Sequence, residues 1–354
     1  MQYSTTEKLP VAGVWSRQWE EDPLGDAAGA DRTTLVLWTQ TPSGLYVDLR
    51  LPLDSPGRLE NASNSSIITP RPAALAGGIS DVAKEALKSK ASVILAQKSF
   101  AGVLEYKVGD TTESGQALKD DKELAKLQDS KFEPSLPLCT CFWKRIIDYQ
   151  PPSGGLDIGV CAAEQPMNLD DGSVGLRETG NDASYAEGWY RLPQTHEGPF
   201  MALELEDDHS TRGFWVRAGS YFSYTVGRPR DVSASILSDC VGQSLEQAAT
   251  TVTDGSFSSP LDLALSYVCV TGKVMENGDY MIQNSLNPEL VGCLLVKGHG
   301  GDDDSSSNDG RTPCCSTLRK TGGNKVEQKI LETSRTWTIV EMDEAGALHF
   351  SSLT

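Results

Sequence analysis

Ionisable and aromatic side chains are interleaved in a few strand-like segments, and these residues are the best suited to chemistry. The segments are CFWKRIIDYQPP at 141–152, RETG at 177–180 and YAEGW at 185–189. Two carboxyl groups that lie close together raise the pKa of one of them, which can then act as a general acid or base. A tyrosine hydroxyl can stabilise a developing oxyanion. The candidate acid–base residues are Asp148, Glu178, Tyr185 and Glu187.

The same kind of segment suggests a binding pocket, because polar and aromatic residues share strand faces. Successive side chains of a strand point to opposite faces, and a ligand pocket combines apolar walls with a few polar groups. The alternative is that these charges form structural ion pairs or face solvent. The residues that we expect to contact a ligand are Asp48, Arg50, Trp143, Lys144, Trp189, Arg217, Tyr221 and Tyr224.

The charge balance argues against nucleic acids and anionic membranes as partners. The 354-residue chain carries 49 acidic and 31 basic residues, a net charge of −18, whereas binding to phosphates or anionic lipids requires clustered Lys and Arg. The sequence lacks a phosphate-binding loop and the GxSxG, HExxH and GxGxxG motifs. We therefore expect no cofactor, and the predicted partner is a small apolar or amphipathic molecule.

The cysteines and the N-terminal residues indicate whether the protein binds a metal and in which cellular compartment it lies. None of the eight cysteines lies in a CxxC pair, and the pairs Cys139/Cys141 and Cys314/Cys315 do not have the spacing of a zinc site. The N-terminal residues do not resemble a signal peptide, and no run of 18 apolar residues occurs. We therefore expect no metal, no membrane span and reduced thiols in a cytoplasmic protein.

Most of the elements that must position these residues have the sequence pattern of β-strands. The segments 34–38 and 45–51 form a predicted hairpin with Pro42 and Gly44 in the turn, and many short strand-like segments with Gly-rich turns follow. In the second arm of the hairpin, leucine and valine alternate with Tyr46, Asp48 and Arg50. Residues 80–97 and 118–128 predict helices, and the acidic stretch 298–308 predicts a solvated loop.

A Gly-x-Trp motif near the N-terminus predicts a structural plug. Gly13-Val-Trp15 precedes the first hairpin, and such a tryptophan closes one end of many lipocalin-like barrels, with an arginine of the last strand stacked over it. We expect Arg335, close to the C-terminus, to be that arginine, with a cation–π interaction between it and Trp15.

Several blocks of the sequence resemble the fungal Hri-type family and related bacterial proteins. They are TLVLWTQTPSGLYVDLRLP at 34–52, ETG at 178–180, YAEGW at 185–189, WVRAG at 215–219 and GRP at 227–229. The resemblance implies a lipocalin-like β-barrel. It implies no catalytic residues, because the family has no settled biochemical activity.

Together these observations predict an all-β fold, a lipocalin-like antiparallel β-barrel of about ten or more strands with helical and acidic loop insertions. Residues 1–230 would form the barrel region, with helices inserted at about 54–98 and 110–135. Residues 231–354 would complete the barrel or form a second, smaller β-unit with the acidic loop 298–316. The predicted function is binding of a small, partly apolar molecule in the lumen. The alternatives are a cofactor-independent lyase, isomerase or cyclase and a protein-interaction scaffold.

Overall fold

The computed structural model of the chain contains two β-sheets, and the first of them is a closed antiparallel barrel of eight strands. Strand β1 pairs with both β2 and β8, which closes the barrel. The all-β barrel fold expected from the sequence is confirmed. The eight strands are β1 (Gly13–Glu21), β2 (Thr34–Gln40), β3 (Leu45–Pro52), β4 (Lys98–Val108), β5 (Cys139–Asp148), β6 (Asp157–Glu164), β7 (Gly175–Gly180) and β8 (Ala186–Arg191).

The second sheet contains nine strands, in the order β10 to β17 followed by β9. This sheet also closes on itself, but β14 and β15 are joined by only one parallel residue pair, Val296 with Ser316. The strands are β9 (Phe200–Leu205), β10 (Thr211–Ala218), β11 (Tyr221–Pro229), β12 (Val268–Val274), β13 (Tyr280–Ser285), β14 (Leu294–Val296), β15 (Ser316–Gly322), β16 (Lys325–Ile330) and β17 (Thr333–Met342). The sheets therefore divide between Arg191 and Phe200, whereas residue 230, the boundary expected from the sequence, lies between β11 and β12.

The helices are short and lie in the connections. The helix expected at 80–97 is present as two short α-helices joined by a 3₁₀ turn, and no helix in the described part of the chain is long and apolar enough to cross a membrane. The α-helices are α1 (Asp81–Leu87), α2 (Ala91–Leu95), α3 (Arg230–Ser238), α4 (Leu245–Thr251) and α5 (Pro260–Leu265), and the 3₁₀ turns are Lys88–Lys90 and Pro288–Leu290.

The structure describes most of the strands and the connections next to them. The expected helix at 118–128 and the acidic loop 298–316 lie outside the described residues, apart from Ser316. The described residues are 11–25, 29–59, 81–108, 139–152, 157–164, 175–180, 184–205, 211–252, 257, 259–296, 316–322, 324–330 and 333–343.

Strand β3 is buried on both faces, and this determines where the main core lies. Its leucine and valine side chains point out of the barrel and pack with Ile147, with Phe214 of the second sheet and with Ile236 of α3. Burying one such side chain stabilises the fold by about 1.5–3 kcal/mol. The core between the sheets therefore uses the outer face of β3, and the polar inner face is left for the lumen.

The interior of the second sheet is packed with aromatic rings. The Trp215 ring lies 5.5 Å from Tyr224, 5.6 Å from Tyr280 and 6.0 Å from Trp337, all edge to face. All four residues are fully buried. Edge-to-face pairs of this kind add stability beyond the area that they bury, so this sheet has an aromatic core where the first barrel has polar groups.

Candidate functional site

A cavity of about 200 Å³ occupies the lumen of the first barrel. Its aromatic walls come from Trp38, Tyr46, Phe100, Trp143, Tyr185 and Trp189. Its charged side chains are Glu20, Asp22, Asp48, Arg50, Arg145, Asp157, Glu178 and Glu187. Aromatic rings and ionisable groups thus converge on one space.

Strand β3 supplies three of the lining residues by simple alternation. Tyr46, Asp48 and Arg50 occupy every second position and all line the cavity. The residues between them belong to the core that joins the two sheets. Strand β8 uses the same two-residue repeat to bring Glu187 and Trp189 to the lumen.

Strand β5 departs from alternation because it contains a β-bulge. Arg145 pairs with Gly102 and Ile147 pairs with Ala101, so Ile146 is an extra residue in the ladder. A β-carbon on Gly102 would lie 1.9 Å from the Lys144 carbonyl oxygen, so only glycine fits opposite the bulge. After the bulge the faces are exchanged, which turns Ile147 toward the core between the sheets.

Glu187 is held by two arginines at the cavity wall. Its Oε1 accepts hydrogen bonds from Arg17 Nη1 at 2.7 Å and from Arg50 Nη1 at 3.2 Å. Arg50 Nε also donates to Asp48 at 3.0 Å, and Arg17 Nη2 donates to Asp31 at 2.8 Å. Because hydrogen bonds between charged groups are among the strongest in proteins, this network fixes the position of the Glu187 carboxylate.

Arg145 links the mouth of the cavity to its wall. Its Nε and Nη2 donate to Asp157 Oδ2 at 2.9 and 2.7 Å, and its Nη1 donates to Asp148 Oδ2 at 3.0 Å. The guanidinium also lies 3.9 Å from the centre of the Phe100 ring, within cation–π range. Burial raises the pKa of Asp148 to about 6, although Arg145 opposes the increase.

Glu178 lies in the cavity wall without an ion-pair partner among the residues that the structure describes. It pairs with Glu187 in the β7–β8 register, and its Oε1 accepts a hydrogen bond from Tyr185 Oη at 3.1 Å. Burial raises the pKa of Glu178 well above its ordinary value, and repulsion from Glu187 and Asp157 raises it further. A carboxyl group whose pKa is raised in this way keeps its proton more readily and can act as a general acid.

Two buried polar groups at the cavity wall have no hydrogen-bond partner in the described part of the chain. They are Tyr46 Oη and Trp189 Nε1. Tyr46 is fully buried and Trp189 is 4% exposed. Buried polar groups in native proteins are nearly always satisfied, so each of these two groups is expected to have a partner outside the described chain.

Aromatic stacking lies beneath the cavity, around Trp15. Trp15 is fully buried and stacks on Trp38 with the ring centres 6.1 Å apart. The arginine over Trp15 is Arg191, 5.4 Å from the ring centre, not Arg335. Arg335 lies in the second sheet, where it donates a hydrogen bond to Tyr224 Oη. The prediction of Arg335 was wrong because the barrel that contains Trp15 closes on β8, not on the last strand of the chain.

The structure brings seven of the predicted site residues to the cavity and places five elsewhere. Those at the cavity are Asp48, Arg50, Trp143, Glu178, Tyr185, Glu187 and Trp189. Asp148 contacts Arg145 but does not line the cavity, and Lys144 is exposed on the outside of the barrel, paired with Glu105.

The other three predicted ligand contacts belong to the second sheet, away from the cavity. Arg217 donates to the Gly219 carbonyl and to Tyr280, and Tyr224 lies in the aromatic core. Tyr221 is half-buried with the Lys273 ammonium 4.9 Å from its ring centre. The expectation that these residues line the same lumen was wrong, because the chain forms two sheets, each with its own interior.

Seven lining residues were not among the predicted site residues. Strand alternation could have identified two of them. Tyr46 shares a strand face with Asp48, and Arg145 shares a strand face with Trp143. No local pattern distinguishes the others, because strand pairing alone brings them together. The seven are Glu20, Asp22, Trp38, Tyr46, Phe100, Arg145 and Asp157.

Three free thiols lie close together in the first barrel. Cys139 and Cys141 have their sulfur atoms 3.7 Å apart, and Cys161 pairs with Cys139 across β5 and β6. All three are buried, and none of them forms a disulfide. Cys314 and Cys315 lie outside the described residues. Within the described ranges, no group of three or more His, Cys, Asp or Glu side chains has an arrangement that could hold a metal ion.

Comparison with known proteins places these observations in a family. No curated protein matches the chain. The structure is similar to that of an uncharacterized protein from Saccharomyces cerevisiae, with 10% sequence identity, a TM-score of 0.42, and coverage of 94% of this chain and 98% of that chain. The model of the family described as Protein HRI1 matches residues 16–281. This match spans most of the 354 residues, and the chain therefore belongs to the HRI1 protein family.

Proposed function

We propose that the first barrel binds a small, partly apolar molecule in its lumen. The observation that carries this proposal is the pair of polar groups, Tyr46 Oη and Trp189 Nε1, buried at the cavity wall without a partner in the described chain. Leaving such a group unpaired costs about 1–3 kcal/mol. A ligand with a hydrogen-bond acceptor would remove this cost.

The size and the lining of the cavity support the same function. A volume of about 200 Å³ corresponds to roughly seven water molecules at ~30 Å³ each. Aromatic walls with a few fixed polar groups are typical of sites that orient small ligands. Since Arg17 and Arg50 fix Glu187, and Arg145 fixes Asp157, the polar groups are already positioned before a ligand arrives.

Native mass spectrometry of the protein purified from its source tests the proposal. We expect a small-molecule adduct that is released on denaturation and can then be identified. The variants Tyr46→Phe and Trp189→Phe remove the two unpaired polar groups and retain an aromatic ring at each position. Both should lower the fraction of protein that carries the adduct. Tyr46→Phe should not lower the free energy of unfolding, because the deleted hydroxyl has no protein partner in the described chain. Trp189→Phe also removes part of the ring that packs on Trp38, so a moderate loss of stability is expected for that variant.

Tyr224→Phe is the matched control for these variants. It also removes a buried hydroxyl, but this hydroxyl accepts a hydrogen bond from Arg335 in the second sheet. We expect Tyr224→Phe to lower stability and to leave the adduct in place. A source-purified protein without any adduct, or equal adduct loss in all three variants, would contradict binding in this lumen.

An acid–base enzyme that uses the same lumen is the second candidate, and the environment of Glu178 favours it. Burial raises the pKa of this carboxyl group, and Tyr185 donates a hydrogen bond to it. Such a group can serve as a general acid in a lyase, isomerase or cyclase. The ligand released from the source protein should then be converted on incubation with fresh protein. Conversion at the same rate by Glu178→Gln would exclude Glu178 as the acid.

A further inference from the structure

We propose that the ligand of the first barrel is a small organic ammonium ion that also carries an oxygen acceptor. The inference rests on the proposed binding function, since it names the class of molecule for the same lumen. Three features of the wall point to it, namely an excess of carboxyl groups, aromatic rings, and a buried donor without a partner.

The charge of the wall selects against anions. Six carboxyl side chains and only two arginines line the cavity. Both arginines are already bound to carboxylates, Arg50 to Asp48 and Glu187, and Arg145 to Asp157. Glu178 and Asp22 have no ion-pair partner among the described residues. Burial raises the pKa of Glu178, and a cation beside it would lower that pKa again and favour the carboxylate. A cation gains attraction from this excess, whereas an anion meets repulsion that low solvent access makes stronger.

The mouth of the cavity has the same charge as its interior. Asp22 is exposed, and the side chains of Glu20 and Asp157 are 26% and 25% exposed. Glu20 is paired with Arg17 and Asp157 with Arg145, whereas Asp22 has no ion-pair partner in the described part of the chain. Asp22 is therefore the carboxylate that attracts cations at the entrance. The approach to the lumen and the lumen itself therefore favour the same class of ligand.

The aromatic walls suit an organic cation better than a hydrated metal ion. The rings of Trp143 and Trp189 line the cavity, and both lie edge to face against Trp38. Aromatic faces attract ammonium groups, and the attraction is larger where water is excluded. The methyl or methylene groups of an organic cation also pack on these rings, which a hydrated ion cannot do.

The requirement for an oxygen atom comes from Trp189. An indole N–H only donates hydrogen bonds, so an ammonium group cannot satisfy it. Tyr46 Oη can donate to the same oxygen or accept a hydrogen bond from an ammonium N–H. The cavity volume of about 200 Å³ limits the ligand to a compact amino alcohol or a molecule of similar size.

Isothermal titration calorimetry with defined probes tests the class of ligand. The cationic probes are choline and ethanolamine, and the neutral probe is 3,3-dimethylbutan-1-ol, which has the shape of choline without its charge. After any resident molecule has been removed, we expect a cationic probe to bind the full chain. The neutral isostere should bind about tenfold or more weakly, a difference of at least ~1.4 kcal/mol.

Two carboxyl variants test whether the ammonium ion binds in the lumen. Glu178→Gln and Glu105→Gln make the same change of side chain, but Glu105 is exposed on the outside of the barrel. We expect Glu178→Gln to weaken choline binding about tenfold and Glu105→Gln to leave it unchanged. Circular dichroism and thermal unfolding establish that both variants are folded.

Trp189→Phe tests the oxygen requirement separately, with tetramethylammonium as a probe that has no oxygen. Both probes lose part of the aromatic wall, but only choline also loses a hydrogen bond, so the variant should weaken choline binding more than tetramethylammonium binding. Equal weakening of the two would overturn the oxygen requirement. Equal affinity for choline and its neutral isostere would overturn the ammonium class while leaving lumen binding intact. Failure of choline and ethanolamine to bind would also overturn it, and the adduct on source-purified protein decides the binding function independently.

Discussion

Arg17 and Glu187 form a buried ion pair across β1 and β8, the two strands that close the first barrel. Their charged atoms are 2.7 Å apart, and their side chains are 2% and 3% exposed. The same Glu187 oxygen accepts a hydrogen bond from Arg50 on β3. One carboxylate therefore joins the closing seam of the barrel to the wall of the cavity.

Removal of this carboxylate should destabilise the protein strongly. Glu187→Ala removes the buried partner of Arg17, which keeps the partly exposed Glu20 and Asp31, and it removes one of the two carboxylate partners of Arg50. Because each hydrogen bond to a charged group contributes about 1.5–3 kcal/mol and both arginines keep a partner, we expect a loss of about 3 kcal/mol. Urea unfolding measures the change. The control is Glu105→Ala, whose pair with Lys144 is exposed and should contribute about 1 kcal/mol or less. Similar losses in the two variants would contradict a special role for the Arg17–Glu187 pair.

Asp148 should make stability depend on pH in the mildly acidic range. Burial raises its pKa from 3.8 to about 6, despite the opposing effect of Arg145. A raised folded-state pKa stabilises the protein below the unfolded value, and this contribution is lost as the pH rises through the folded value. Relative to Asp148→Asn, the wild type should lose about 2.5 kcal/mol of unfolding free energy between about pH 4 and pH 7. Unfolding curves of both proteins across this range provide the measurement, and parallel pH profiles would refute the assignment.

Arg228 should be essential for joining the two sheets. It is 1% exposed, donates to the carbonyl oxygens of Leu263 and Asp148 at 2.9 and 3.0 Å, and lies between the rings of Tyr149 and Tyr267. Arg228→Met removes both hydrogen bonds and should cost about 3 kcal/mol. Arg228→Lys should restore little of this, because an ammonium lacks the planar fork that reaches two acceptors.

The control for Arg228 is Arg212→Met, at an exposed position of β10. Its thermal unfolding temperature should stay close to that of the wild type. If both variants lower the unfolding temperature by similar amounts, the loss of any arginine from this sheet is sufficient, and the contacts of Arg228 between the sheets do not explain the loss of stability.

Gly44 should tolerate no side chain, because two separate constraints act on it. Its φ is +90°, and a β-carbon there would lie 2.7 Å from the Leu104 carbonyl oxygen. Gly25 has a φ of +93° with nothing within 4 Å of such an atom, so Gly25→Ala measures the backbone cost alone. We expect Gly44→Ala to reduce the free energy of unfolding by about 1–2 kcal/mol more than Gly25→Ala. Equal effects would show that the hairpin relaxes away from Leu104.

Local sequence patterns were sufficient for the elements themselves. The turn at Pro42 and Gly44 and the alternation along 45–51 predicted the β2–β3 hairpin, which the structure contains. The same alternation placed Tyr46 with Asp48 and Arg50 on one face. A two-residue repeat is a property of any extended strand, so these assignments did not depend on which strands become neighbours.

Alternation failed where the backbone departs from a regular strand. Regular alternation would place Lys144 and Asp148 on one face of β5. Lys144 is instead exposed and paired with Glu105, whereas Asp148 is buried and paired with Arg145. The cause is the bulge at Ile146, which exchanges the two faces of the strand. The signal for it, Gly102, lies on the neighbouring strand and becomes meaningful only when the pairing is known.

The sequence by itself determined the strands, the aromatic and ionisable residues they carry, and the family, because these depend on neighbouring positions in the chain. The tertiary structure decided which face of β3 lines a lumen, that Arg191 and not Arg335 covers Trp15, and that Arg217 and Tyr224 lie in a second sheet. Strand pairing and barrel closure join residues far apart in the chain, and the free energy of those contacts is not encoded in any local pattern.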